Sequence, residues 1–131
     1  MTDARGSIDQ DFAYLTTTGR RTGSPHRIEI WFALHDDVAY LLSGGGDRSD
    51  WVKNLTASPT VVLEIGGERR TTTARLVTDP DEDALARRVV VDKYRPRSSD
   101  DLTEWGRTSV PVAIAWAGVA GDPSGATPDG T

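Results

Sequence analysis

Residues 16–34 read TTTGRRTGSPHRIEIWFAL, a basic, glycine-containing turn that runs directly into a strand-like segment. Residues 20–27 contain three arginines and one histidine and no acidic residue. The whole chain is acidic, with 15 Lys+Arg against 20 Asp+Glu and a net charge of −5. Guanidinium groups and backbone N–H groups on a turn suit a phosphate or carboxylate ligand. An ordinary basic hairpin turn is the alternative interpretation.

The side chains of residues 26–34 alternate between two faces, as in a β-strand. One face carries His26, Ile28, Ile30, Phe32 and Leu34, and the other carries Arg27, Glu29, Trp31 and Ala33. This pattern predicts one continuous strand with an aliphatic face in the core. On the second face, Trp31 either lines a cleft together with Glu29 or packs under a helix.

Turn and cap signals divide the rest of the chain into short elements. Asp36-Asp37 and Gly66-Gly67 are predicted tight turns, and Asp79-Pro80 followed by Glu82 predicts a helix start with a capping box. The predicted elements are strand 38–43, a helix over 49–57 capped by Asp47 or Ser49, strands 61–65 and 68–78, a helix from 79 to about 94, a helical turn near Leu102 and Trp105, and strand 110–117.

Strands outnumber helices and most are joined by short turns, which is typical of a mainly β, antiparallel barrel with peripheral helices. At 131 residues the chain fits one domain. We expect that domain to span residues 1–117. Residues 118–131 are rich in Gly, Pro, Asp and Thr, and we expect them to be a disordered tail.

Composition excludes several kinds of site. The chain has no cysteine and only two histidines, so no metal centre is expected. The acidic balance argues against nucleic-acid binding. No signal-like segment or membrane span is visible, and a cytoplasmic location is expected. No P-loop, dinucleotide fingerprint or nucleophile elbow is present, so a bound cofactor would have to supply any chemistry.

Three segments in order carry a family resemblance: residues 17–25 (TTGRRTGSP), residues 42–46 (LSGGG), and residues 50–55 (DWVKNL) followed by Ser58-Pro59. Together they resemble the deazaflavin-dependent nitroreductase family, whose members use coenzyme F₄₂₀. The resemblance covers about residues 12–78 and implies a split β-barrel, the fold shared with FMN-binding pyridoxamine-phosphate oxidases. It also implies that the Gly19–Gly23 turn holds the anionic tail of the cofactor.

The resemblance assigns expected roles to individual residues. The expected cofactor-binding residues are Arg20, Arg21, Gly23, Arg27, Ser43, Gly44, Gly45, Trp51 and Asn54. The expected substrate pocket contains Glu29, Trp31 and Tyr94, with Tyr94 as the candidate proton donor and bulk water as the alternative.

The chain departs from the family pattern at several positions. Many relatives have Lys where this chain has Arg21 and Gly44, and Pro where it has Glu29. A carboxylate at residue 29 would disfavour anionic substrates. Only Ile8, Phe12 and Leu15 suggest a short form of the amphipathic N-terminal helix that some relatives have.

The leading hypothesis is an F₄₂₀H₂-dependent oxidoreductase. Reduced deazaflavin would transfer a hydride to a small activated acceptor of the quinone, enone or nitroaromatic type. The alternatives are an FMN-dependent enzyme of the same barrel, or a non-catalytic carrier of haem, lipid or another hydrophobic ligand. Barrels of this type often pair through a sheet face, so a homodimer is one expectation for this chain. The natural acceptor does not follow from the sequence.

Overall fold

A computed structural model describes residues 10–98 and 101–116, apart from the side chain of Asp47. The strands are β1 (Ala13–Thr18), β2 (Pro25–Ile30), β3 (Ala33–His35), β4 (Val38–Ser43), β5 (Thr60–Ile65), β6 (Glu68–Leu76) and β7 (Val110–Ala115). The α-helices are α1 (Asp50–Ala57), α2 (Pro80–Tyr94) and α3 (Thr103–Thr108), and short 3₁₀ turns cover Gly46–Arg48 and Arg95–Arg97.

Within the described residues the strands form one antiparallel sheet in the order β2-β1-β5-β6-β7-β4-β3. Strand β6 joins its two halves, because residues 68–73 pair with β5 and residues 74–76 pair with β7. This arrangement confirms the mainly β, antiparallel split-barrel fold with peripheral helices. Strand β7 lies between β6 and β4, as expected for an apolar central strand, and the predicted tail at 118–131 lies outside the described residues.

Strand β1 was not expected from the sequence. The short helix suggested by Ile8, Phe12 and Leu15 is wrong over the described part, because Leu15 lies inside β1 (Ile8 is outside the described residues). Ala13, Leu15 and Thr17 are buried and alternate with more exposed neighbours, which is a strand period of two. This strand pairs with both β2 and β5 and forms one wall of the site.

The expected continuous strand over 26–34 is also wrong, because it breaks at Trp31 and Phe32. The backbone N–H of Phe32 donates to the Tyr94 hydroxyl (3.0 Å), and the Phe32 carbonyl oxygen lies 3.1 Å from the same hydroxyl. Strand β2 therefore pairs with β1 at one edge of the sheet, and β3 pairs with β4 at the other. The two-face assignment nevertheless holds, since Phe32 packs in one core cluster and Trp31 packs against the other.

The tight turns follow their local signals. Asp36 and Asp37 have positive φ angles (48° and 70°), and so do Gly66 and Gly67 (61° and 88°). Both pairs connect antiparallel strands through two residues, the geometry that positive φ at both positions allows.

The cap predictions are only partly right. Asp79 caps α2 as expected, with its carboxylate accepting from the backbone N–H of Glu82 at 2.9 Å. The carboxylate of Glu82 does not close the predicted box but binds Arg75 and Tyr40. Ser49 occupies the N-cap position of α1 without a side-chain capping bond. Its hydroxyl instead lies 2.8 Å from the hydroxyl of Ser43.

Two apolar clusters position the site. The first includes Leu15, Phe32 and Leu63 of the sheet region and Leu55 of α1. The second packs helix α2 against residues of β3, β4 and β7 and includes Tyr94. Burial of these side chains, at about 25 cal/mol per Å² of apolar surface, holds α1 beside β1 and α2 beside β4.

Candidate active site

A pocket of about 440 Å³ lies where the 19–23 turn and strands β1 and β2 meet the start of α1. We call it the cationic pocket. Its lining includes Arg20, Arg21 and His26 from the turn region, and Asp50, Trp51 and Asn54 from the helix. Thr17 and Ile28 form its strand wall. The structure thus brings together four of the expected cofactor-binding residues: Arg20, Arg21, Trp51 and Asn54.

The glycine turn is closed by its own backbone. The N–H of Gly19 donates to the Ser24 carbonyl oxygen (2.7 Å), and the N–H of Gly23 donates to the Gly19 carbonyl oxygen (2.8 Å). Gly23 has a φ of +77°, which side-chain-bearing residues rarely adopt. A Cβ at Gly19 would lie 2.7 Å from Nε2 of His26. Gly23 is therefore needed for its backbone conformation, and Gly19 is needed because a side chain there would contact His26.

Arg20 is fixed by the helix across from it. The Oδ1 atom of Asn54 accepts from the backbone N–H (3.2 Å) and from Nη1 (2.9 Å) of Arg20. Asn54 is buried and also donates to the Thr17 hydroxyl at 3.2 Å. Asp50 forms an ion pair with the same guanidinium at 3.3 Å. Asn54 is therefore a positioning residue for Arg20.

Arg21 is exposed and has no hydrogen-bond or ion-pair partner among the described residues. The backbone N–H groups of Arg21 and Thr22 also lack an acceptor in the described part of the chain. The turn therefore presents one uncommitted guanidinium and two backbone donors beside the pocket. These groups can bind an anion without breaking an existing contact.

Arg27 lies away from the cationic pocket. It is on the opposite face of β2 from His26 and Ile28, because successive strand residues point to opposite sides. Its guanidinium binds Glu64 (3.0 Å) and covers the ring of Tyr14 at 4.1 Å. The structure therefore does not bring Arg27 to the other cations.

Contacts within the protein account for the glycines of the second glycine segment, residues 43–46. Ser43 is buried, and its hydroxyl donates to the Gly46 carbonyl oxygen at 2.8 Å. A Cβ at Gly44 would lie 3.0 Å from Nε1 of Trp105, and a Cβ at Gly45 would lie 2.5 Å from Oγ of Ser49. A side chain at either position would therefore crowd Trp105 or Ser49, so packing within the protein favours glycine at both.

The same segment borders a separate cleft of about 520 Å³, where Gly44 and Gly45 meet Arg48 and Thr108. Neither glycine lines the cationic pocket.

A third pocket, of about 500 Å³, opens where β2 ends and α3 begins. We call it the aromatic pocket, because Phe12, Trp31 and Trp105 line it. Trp31 stacks on Tyr94 with ring centroids 4.2 Å apart, and it meets Trp105 edge-on at 5.5 Å. Trp31 therefore both packs under a helix and lines a cleft, and Glu29 lines the same pocket.

Tyr94 stacks on Trp31 but does not itself line the aromatic pocket. Its hydroxyl donates to the carbonyl oxygen of Asp11 (2.7 Å) and accepts from the N–H of Phe32 (3.0 Å). Burial raises the pKa of Tyr94 to about 12. A hydroxyl committed to backbone groups in this way is poorly placed to release a proton to a bound substrate, so we do not carry the proton-donor role forward.

Several lining residues were not foreseen from the sequence. Thr17 and Asp50 of the cationic pocket were not among the expected site residues: β1 was not predicted, and Asp50 was noted only as part of the segment DWVKNL. Phe12 and Leu102 of the aromatic pocket were missed as well. The available signal was the alternation of residues 13–18, which places Thr17 on the same face as Leu15.

Among the described residues, no group of three or more metal-ligating side chains is close enough to hold a metal ion. None of the helices in the described part of the chain is long and apolar enough to cross a membrane.

Comparison with known proteins identifies the family. A family model described as F₄₂₀H₂-dependent quinone reductase matches residues 4–115. An F₄₂₀H₂-dependent quinone reductase of Mycobacterium tuberculosis is 32% identical over 105 residues, covering 76% of this chain and 68% of the relative.

Solved structures share the fold. An F₄₂₀H₂-dependent reductase has a TM-score of 0.63 at 23% identity, covering 81% of this chain and 94% of its own. A protein described as a domain-swapped dimer has a TM-score of 0.65 at 22% identity, covering 85% of this chain and 88% of its own. The chain belongs to the F₄₂₀H₂-dependent quinone reductase family, which confirms the expected deazaflavin oxidoreductase class, cofactor and fold.

Proposed function

We propose that this protein catalyses hydride transfer from F₄₂₀H₂ to a quinone, with the anionic tail of the cofactor held in the cationic pocket. The observation that carries the assignment of this site is the convergence of Arg20, Arg21 and His26 on one pocket of a chain whose net charge is −5. Such a local reversal of charge suits a polyanionic ligand.

The residues present fit the cofactor's tail, which carries phosphate and carboxylate groups. Arg21 and the backbone N–H groups of Arg21 and Thr22 are available donors. Arg20 is pre-positioned by Asn54, so little side-chain entropy is lost when an anion binds there. Trp51 and Ile28 add an apolar wall to the same pocket.

The bound cofactor supplies the hydride, from C5 of its reduced deazaflavin ring. The protein's contribution is to hold its two ligands in a fixed relation and to exclude water from the contact between them. Reduction of a quinone to a hydroquinone requires one hydride and one proton. Tyr94 is bound to the backbone, so we assign the proton to water.

The FMN-dependent and carrier alternatives are not favoured by the family match. FMN has a single phosphate and would use fewer cations than this turn offers.

The test is titration of the purified protein with oxidised F₄₂₀ and, separately, with FMN, followed by tryptophan fluorescence. Trp51 lines the cationic pocket and serves as the reporter.

Four proteins should be compared in that titration: wild type, Arg20→Ala, Arg21→Ala and Arg88→Ala. Arg88 is an exposed arginine of α2 that does not line the pocket, so it controls for the loss of one positive charge. A charged hydrogen bond contributes about 1.5–3 kcal/mol, so each pocket variant should bind F₄₂₀ about 10- to 100-fold more weakly. Unchanged affinity in both pocket variants would contradict the site assignment.

Two further points remain predictions. A homodimer is consistent with the domain-swapped dimer among the structural neighbours and can be tested by light scattering on the purified chain. A cytoplasmic location can be tested by cell fractionation.

A further inference from the structure

The aromatic pocket has an unusual charge composition. Its apolar walls are aromatic and aliphatic, and they include Trp31, Trp105 and Leu42. The charged residues that line it are both acidic, Glu29 and Asp101, and its described lining contains no Lys, Arg or His. A planar aromatic molecule in this pocket therefore lies beside two carboxylates.

Within the part of the chain that the structure describes, neither carboxylate forms a direct ion pair. The Oε2 atom of Glu29 accepts from the Tyr14 hydroxyl at 3.0 Å, and this bond and the charge on Glu29 raise the pKa of Tyr14. Asp101 accepts from the backbone N–H of Thr103 at 2.9 Å, and this bond lowers the pKa of Asp101. Both hydrogen-bond partners are uncharged donors. The one cation that also lowers the pKa of Asp101 is Arg95, which is itself paired with Asp92 at 3.8 Å.

Strand β2 separates the two charged regions. His26, near its start, lines the cationic pocket, and Ile30, at its end, lines the aromatic pocket. Four residues of extended chain span about 13 Å, at roughly 3.3 Å per residue. The nearby Arg27 is paired with Glu64 and does not line the aromatic pocket. The pocket near the start of β2 is therefore lined by cationic side chains, and the pocket near its end is lined by acidic ones.

We propose that the aromatic pocket is the acceptor site and that Glu29 and Asp101 select quinones without an anionic substituent. This proposal rests on the proposed function and adds a substrate class to it. A neutral quinone gains the aromatic contacts at little electrostatic cost. A sulfonated or carboxylated quinone is repelled by the two carboxylates and attracted to the cationic pocket instead.

The expected size of the discrimination between neutral and anionic quinones follows from Coulomb's law. Two like charges about 7 Å apart, at an effective dielectric constant of about 40, disfavour binding by roughly tenfold. Each carboxylate should therefore contribute about threefold to tenfold of discrimination. Added salt should reduce the discrimination, because both side chains are close to solvent.

The test compares a neutral quinone, menadione, with an anionic one, 1,4-naphthoquinone-2-sulfonate. The measured quantity is the ratio of their kcat/KM values with F₄₂₀H₂ in wild type, Glu29→Gln, Asp101→Asn and the double variant. Each substitution keeps the hydrogen-bond acceptor and removes the charge. Asp81→Asn, at an exposed α2 residue outside the pocket, is the matched control.

The two quinones differ in reduction potential, but that difference is the same for every variant and cancels when the ratios are compared. We expect the preference for menadione to fall at least threefold in each pocket variant, to fall further in the double variant, and to stay unchanged in Asp81→Asn. An unchanged ratio in the double variant would overturn the proposal.

A binding measurement without cofactor separates this proposal from the proposed function. Quinones quench tryptophan fluorescence, and Trp31 and Trp105 line the pocket. The ratio of dissociation constants for the two quinones should change in the same direction as the kinetic ratio. If no quinone is reduced, the proposed function fails, and the binding ratio alone still decides whether the two carboxylates select by charge.

Discussion

Asn54 and Arg20 are joined at two points, because one amide oxygen accepts from both the backbone N–H and the side chain of the arginine. Asn54 belongs to α1 and Arg20 to the glycine turn, so this contact sets the position of the turn relative to the helix. It also turns a flexible surface arginine into a positioned donor. The cationic pocket thus depends on a buried amide that itself need not touch the ligand.

Replacing Asn54 with Ala should weaken F₄₂₀ binding through Arg20. The variant also leaves the Thr17 hydroxyl without its partner, so the free energy of unfolding should fall by about 1–3 kcal/mol. A double-mutant cycle with Arg20→Ala, read by fluorescence titration, measures the coupling. The double variant should bind F₄₂₀ no more weakly than Arg20→Ala alone.

Full additivity in that cycle would mean that Asn54 acts independently of Arg20. Thr56→Ala is the control on the same helix. Thr56 is exposed, bonds only within the helix among the described contacts, and does not line the pocket.

Asp50 is the one carboxylate that lines the cationic pocket, among the residues that the structure describes. It pairs with Arg20 at 3.3 Å but is itself highly exposed. Because it opposes an anionic ligand, Asp50→Asn should bind F₄₂₀ more tightly, by about two- to fivefold, with a smaller gain at high salt. Isothermal titration calorimetry at two salt concentrations measures this change.

Asp81→Asn is the matched control for Asp50→Asn. Asp81 is also an exposed acid in the first turn of a helix, but that helix is α2 and Asp81 lines no part of the cationic pocket. Weaker F₄₂₀ binding by Asp50→Asn would show that the carboxylate helps the pocket by orienting Arg20.

Tyr94→Phe should lower stability without removing turnover. Its hydroxyl ties the backbone at Asp11 and Phe32 together, so its loss should cost about 1–3 kcal/mol of unfolding free energy. Thermal unfolding and quinone reduction per folded molecule measure the two effects. A loss of kcat by more than about tenfold, with the fold intact, would restore Tyr94 as the proton donor.

Tyr40→Phe provides the control for Tyr94→Phe. Tyr40 belongs to the same core cluster as Tyr94, but its hydroxyl donates to the Glu82 carboxylate rather than to the backbone beside Trp31. Only Tyr94→Phe should disturb the quenching of Trp31 by a bound quinone, because only the Tyr94 hydroxyl binds the backbone of Phe32, the residue next to Trp31.

Local signals predicted the turns and helix starts because the residues concerned determine their own backbone geometry. Gly66-Gly67 takes two positive φ angles, and Asp79 caps α2 with its own side chain. The family motifs likewise led to the pocket formed by Arg20, Arg21, Trp51 and Asn54. In these cases the needed information lies within a few neighbouring residues.

The errors arose where distant contacts decide the backbone. The break at Trp31 and Phe32 depends on the hydroxyl of Tyr94, which is 62 residues away in sequence. The hydrophobic alternation continues across the break, so the pattern alone predicts an unbroken strand. Strand β1 was hidden because its threonines were grouped with the turn that follows them. Arg27 was expected to lie near the other cations of the turn. In the structure it pairs with Glu64, which lies in a strand two positions away in the sheet.

Glu82 should make stability depend on pH below about 4.5, the ordinary pKa of a glutamate. Its bonds with Arg75 at 2.7 and 2.8 Å, together with the Tyr40 hydroxyl, lower its pKa in the folded protein. A lowered folded-state pKa means that the ionised form stabilises the fold above the unfolded pKa, and that this contribution is lost as pH falls through the folded pKa. Glu82→Gln should therefore be less stable than wild type at pH 7, and the difference in unfolding free energy should shrink as pH falls below about 4.5.

Thermal unfolding from pH 7 to pH 3 measures this difference. Glu104→Gln, which removes an exposed carboxylate of α3, is the control for the loss of one charge. A difference that stays constant over this range would show that the Glu82 contacts are not charge-dependent.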